Sequence, residues 1–287
     1  MEKCMPPGWN DVLQTLPTLL MLAMVPLGLV GLWYWQGWRL QQIGAQPFPE
    51  KYRRILLRNV PLYRQLPPPL ARQLRRLILQ FLYQKKFIGC AGLEVTDEMR
   101  VTIAAQACLL LLNRKTALYP DLNQILIYPS IFVKPQSSVE QGGIVIEGHA
   151  SLAGESWSDG RVILAWDHVL QNAASNGEER GHNVVLHEFA HQLDSEGGVN
   201  NGAPVLPNSA AYQRWSDVFQ HEFQRLQHAE QYQIDSVLDY YGAQNPAEFF
   251  AVATEAFFTN PVALLEQHSA LYQELSRYFR LDPVAWH

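Results

Sequence analysis

Apolar positions along the chain fall into three regimes. From Val12 to Trp38 no residue is charged, and Leu16–Trp35 (LPTLLMLAMVPLGLVGLWYW) is almost continuously apolar. A helix spanning a bilayer needs roughly 20 such residues. Trp33, Tyr34, Trp35 and Trp38 close the run with aromatics suited to the headgroup level. In the middle of the chain the period changes from segment to segment. Leu70, Leu74, Leu77, Ile78, Phe81 and Leu82 predict a helix over Leu70–Lys86, and Thr96 with Asp97 and Glu98 opens another that runs to Leu112. Gln124–Tyr128 (QILIY), Ile144–Glu147 and Arg161–Trp166 (RVILAW) are short, β-branched and bounded by Gly or Pro, which predicts strands. From Gly181 onward the signals are helical, with helices expected over 181–194, 209–229, 246–258 and 269–280. Strands first and helices later predict an α+β fold with a small sheet.

Breakers and charge divide the chain. Pro47, Pro49, Pro61 and Pro67–Pro69 punctuate residues 39–69. Three parts are therefore expected: a transmembrane anchor over 1–38, with 13–35 in the bilayer; a basic, Pro-containing juxtamembrane connector over 39–69; and a globular domain over 70–287. Residues 1–87 hold 12 Lys/Arg against 3 Asp/Glu, whereas residues 88–287 hold 10 against 24. Arg39, Lys51, Arg53, Arg54 and Arg58 follow the apolar run with only Glu50 opposed. The positive-inside rule then predicts a single-pass inner-membrane protein with its body facing the cytoplasm. Cys4, Cys90 and Cys108 are too few for a disulfide framework, which suits a reducing compartment. An acidic main body argues against direct nucleic-acid binding.

The chemistry lies in VVLHEFAHQL, residues 184–193. His187 and His191 fit the H-E-x-x-H pattern. On a helix, positions four apart share one face, about 6 Å apart. Two imidazoles so placed can bind one Zn²⁺ while the adjacent Glu188 reaches a metal-bound water. Burying three ionisable groups in one turn of an otherwise apolar helix is costly unless they are partnered. A catalytic zinc needs a third protein ligand and an open position. Asp194 and Gly197 stand where the metzincin extension would place Gly and His. Asp194 is better suited to holding an imidazole than to binding metal. The strongest third ligand is Glu248 in QNPAEFFAVATEAFF, but Asn245, Pro246 and Glu248 also make a good capping box. Glu255, seven residues on and on nearly the same face, competes with it.

GHNVVLHEFAHQLD followed by DYYGAQNPAEFF resembles the Mlc titration factor A family of zinc metallopeptidases. QILIYPSIFV, AGESWSDGRVILAW and YFRLDP extend the resemblance, dense from about residue 120 to 283 and thinner back to about 53. It implies a zincin-like metallopeptidase domain with two ligand-bearing helices and a strand edge that receives an extended peptide. It further implies one zinc per chain held by His187, His191 and Glu248, with Tyr241 nearby as donor to the developing oxyanion. The adjacent Tyr240 competes for that role. Glu188 would act as general base and then acid on a peptide or protein substrate. The family is named for sequestering a DNA-binding repressor. The competing expectation is therefore a membrane-tethered binding protein that captures a cytoplasmic transcriptional regulator, its zinc mainly structural. The remaining histidines, His182 the least settled among them, read as structural.

Overall fold

The computed structural model describes residues 34–114, 117–130, 160–174 and 182–286, with Met24 and Gly31. The chain divides into two units, 1–46 and 47–287. In the first, residues 34–44 form a helix on which Trp35 and Trp38 are exposed. This helix carries Gln36, Arg39, Gln41 and Gln42, and the Arg39 guanidinium lies 5.1 Å from the Trp35 ring centroid.

The expected transmembrane helix is corrected here. Among the described residues, no helix is long and apolar enough to cross a membrane. Most of the Val12–Trp38 run lies outside those residues, as does the strand expected at 144–147. Low charge and high hydropathy mark a segment that would partition into lipid, but they do not make it a spanning helix. The anchor, the inner-membrane placement and the orientation drawn from it are withdrawn.

The α+β reading is also corrected: the second unit is mostly helical. Its elements are α1 (Glu50–Asn59), α2 (Pro61–Gln65), α3 (Pro68–Gln84), β1 (Lys86–Gly89), α4 (Asp97–Leu109), β2 (Gln124–Tyr128), β3 (Arg161–Ala165) and α5 (Trp166–Ala174). The C-terminal half then follows as α6 (Val184–Ser195), α7 (Ser209–Tyr232), a 3-10 turn (Tyr240–Ala243), α8 (Pro246–Thr259), α9 (Pro261–Gln267) and α10 (Ser269–Phe279). The physical reason is the placement of proline. Pro61, Pro68, Pro246 and Pro261 each occupy the first helical position, where the missing N–H costs nothing and φ is already correct. Of the prolines in 39–69, Pro61 and Pro68 thus open helices while Pro49 stands at the N-cap of α1, whose Ile55 and Leu56 are buried.

The sheet is small and parallel, in the order β1-β2-β3, with Lys86 opposite Gln124 and Gln124 opposite Arg161. Ile125, Ile127, Val162 and Leu164 alternate inward and are buried. Parallel pairing of β1 with β2 requires a crossover, and α4 lies within it. That helix starts on Thr96, whose side chain accepts from the Met99 N–H at 3.3 Å, and it is buried almost throughout. Helix α3 places Leu74, Ile78 and Phe81 on one buried stripe.

Helix α6 sits at the centre, against α4, α5, α8 and β3. Phe189 anchors it, its ring centroid 4.9 Å from that of Tyr119 and 5.8 Å from that of Phe81. Burying such a side chain contributes about 1.5–3 kcal/mol. Helix α8 (PAEFFAVATEAFFT) is buried from Phe249 to Phe258. Two helices held this firmly can present polar groups to each other at fixed distances.

Candidate metal centre

Capping sets where the two helices begin. Asn183 caps α6, its Oδ1 accepting from the Leu186 N–H at 3.0 Å, while its own N–H donates to Glu255 on α8. Asn245 caps α8, its Oδ1 accepting from the Glu248 N–H at 3.0 Å. The cap uses the Glu248 backbone, so the carboxylate is left to face α6. Glu248 Oε2 lies 2.9 Å from His187 Nε2 and 3.3 Å from His191 Nε2, and the two Nε2 atoms are 3.2 Å apart. His187, His191 and Glu248 thus offer three ligand atoms, all within 4.8 Å of one another. Ligands bound at 2.0–2.1 Å to a tetrahedral zinc lie about 3.3–3.4 Å apart. Two imidazole nitrogens and a carboxylate oxygen packed this closely need a positive charge among them, and the donor set suits a metal ion.

The electrostatics agree. Burial alone would push His187 down, but hydrogen bonds to Glu248 and Glu255 outweigh it and raise the imidazole to about 10. Burial works to raise Glu248, and its bonds to both histidines overcome this, holding it at about 2. His191 is lowered, chiefly by burial. The pocket is therefore built for positive charge. Glu188 is buried beside it, and burial pushes its carboxyl up to about 7 against the pull of His187.

An outer layer holds these side chains in place. The Nδ1 of His187 donates to Glu255 Oε1 at 2.7 Å, which fixes the tautomer that leaves Nε2 facing Glu248. Glu255 thus takes one ring nitrogen of His187 and Glu248 the other. His182 spans to Glu255 Oε2 at 3.6 Å and to Asp239 Oδ2 at 3.2 Å. Asp239 in turn caps the 3-10 turn, its Oδ1 accepting from the Tyr241 N–H at 2.7 Å. The Tyr241 ring lies 5.8 Å from that of His187, whereas the Tyr240 hydroxyl donates to Ile234 O at 2.5 Å. Asp194 does not hold an imidazole: its Oδ2 accepts from the Gly202 N–H at 2.7 Å and fixes the loop after α6. From that loop the Asn200 side chain bonds His191.

His182, Asp239 and Asn200 escaped the sequence reading. His182 has no ligand spacing, and its role depends on Glu255, 73 positions away. The one local signal was Asp239 ahead of YYGA, a cap-type residue before a turn.

A family model described as glucose-regulated metallo-peptidase M90 matches residues 35–280. An uncharacterized protein of Synechocystis sp. is 42% identical over 274 residues, covering 94% of this chain and 98% of that protein. Mlc titration factor A of Yersinia pestis is 33% identical over 234 residues, covering 79% of this chain and 83% of the relative. The same figures hold for Mlc titration factor A of Yersinia pseudotuberculosis. The family match spans both ligand-bearing helices, the tyrosine turn and the loop between them. The chain belongs to the glucose-regulated metallo-peptidase M90 family.

Proposed function

We propose that the protein is a zinc-dependent peptidase that holds one zinc through His187, His191 and Glu248. One observation carries this reading: the three donors converge on one point while Glu188, which a purely structural site does not need, is buried in the same turn. Zinc at this position would lower the pKa of a bound water to about 7 and polarise a peptide carbonyl. Glu188 would take the proton from that water and hand it to the departing amine. Tyr241 would donate a hydrogen bond to the developing oxyanion, since its ring lies beside His187 while Tyr240 is engaged at Ile234. Glu255 would keep His187 in the ligating tautomer, and Asp239 would hold the tyrosine turn.

A second reading has a specific support: relatives carry the name Mlc titration factor A, which points to capture of a transcriptional regulator. Capture and cleavage can share one cleft. The test is a peptide-library digest with the metal counted by mass spectrometry. Zinc-loaded protein should cut the library, a chelator should abolish cutting, and added zinc should restore it. Cutting that survives complete zinc removal would contradict the proposal.

A further inference from the structure

Away from the metal centre, α7, the end of α10 and the loop after α4 enclose a second pocket of about 280 Å³. Arg114, Arg214, Arg277 and Arg280 line it, and the Glu274 carboxylate is the acidic group among them. Asn113 Nδ2 donates to Arg280 O at 3.0 Å, which pins the loop carrying Arg114 to the end of α10. Glu274 pairs with Arg277 and lies 3.7 Å from Arg214 Nε. With Glu196, 4.0 Å from Arg114, that makes two carboxylates against four guanidinium groups.

Arg114 is the decisive residue. Its side chain is only 7% exposed, and its guanidinium carbon lies 4.4 Å from the Tyr278 ring centroid. Stacking satisfies the face of a guanidinium and leaves the in-plane N–H groups needing acceptors. Glu196 Oε2 is 4.0 Å from Nη2, beyond hydrogen-bond length. Among the described residues, Arg114 Nη1 is buried without a hydrogen-bond partner. A buried guanidinium left in that state is costly unless an acceptor arrives. Arg214 and Arg277 are half exposed at the rim, where they can draw an anion in. Trp215, Leu206 and Tyr278 add apolar wall for a small organic body.

We infer that this pocket binds a small phosphate monoester, its dianionic head taken in the plane of Arg114 and shared with Arg277 and Arg280. Guanidinium forks match phosphate oxygens in pairs, and a dianion can compete with Glu274 for the rim arginines where a single carboxylate would not. This assignment does not depend on the metal centre.

Calorimetric titration of the zinc-loaded full chain with inorganic phosphate, and separately with glycerol phosphate, tests it. Saturable binding of both is expected, tighter for the ester because of the apolar wall. Arg114→Gln should weaken both at least tenfold. Should that variant fail to fold, Arg280→Gln, at an exposed position, should weaken both severalfold on its own. Absence of saturable binding would overturn the inference. So would binding that Arg280→Gln and a folded Arg114→Gln leave unchanged, since the phosphate would then sit at the metal.

Discussion

At the residue scale the site turns on what each carboxylate faces. Glu248 and Glu255 are separated by two helical turns and look interchangeable in sequence, yet they take opposite nitrogens of the His187 ring. Glu248→Gln should therefore lose zinc by more than the roughly 10–100-fold typical of outer partners. The helix should persist, because Asn245 caps it through a backbone N–H. Competition against a chelator, with circular dichroism as the fold control, reads this; wild-type zinc affinity would return the ligand role to Glu255. Glu188 makes a second prediction, on pH. Its carboxyl, raised from 4.5 to about 7 by burial, must be ionised to accept a proton, and a bound cation would draw the value back down. The acid limb of kcat/KM should thus fall between pH 4.5 and 7, with activity dropping tenfold per unit below it. A flat profile across that window would remove Glu188 from the reaction.

At the scale of elements, the loop between α6 and α7 ties α6 to α8. Asp194 at the end of α6 receives the Gly202 N–H, and a Cβ on Gly202 would meet Pro246 O of α8 at 2.2 Å. Gly202 also has φ of +77°, a region that costs other residues about 1–2 kcal/mol. Gly202→Ala should lower stability by at least about 2 kcal/mol and loosen zinc, because it pushes α8 from α6. A urea midpoint and zinc affinity equal to wild type would show that the loop is not a brace. Sequence reached the long helices of this half closely, because their periods are local, and Asn245 caps as its spacing suggested, whereas the caps at Asn183 and Asn208 emerge from the structure. It missed α9, and it failed at α1 and α2, where Pro49 and Pro61, read as breakers, stand at an N-cap and at a first helical position. Burial of α1 depends on α4, about forty residues away, which no local pattern carries.

For the whole molecule, the N-terminal apolar run lies mostly outside the described residues, and among those no helix is long and apolar enough to cross a membrane. The candidate pair His187 and His191, with Glu188 beside it, was legible from spacing because a helix puts residues four apart on one face, whereas Glu248 read equally well as a cap and took its ligand role from the family resemblance. The outer layer of His182, Asp239 and Asn200 was not, since each acts through a partner from another element. The family match from residue 35 to 280 and the converging donors leave one question at the centre: whether this fold turns over peptides or only holds them. The most direct measurement compares zinc-saturated wild type with Glu188→Gln on a broad peptide library. Both forms should carry equal metal and have equal thermal midpoints, since Glu188 is outside the ligand set and glutamine is nearly isosteric. If the account holds, wild type cleaves and the variant loses about 10²–10⁴-fold in kcat. Equal cleavage by the two forms, or no cleavage by fully zinc-loaded wild type, would contradict it and leave capture of a regulator as the function.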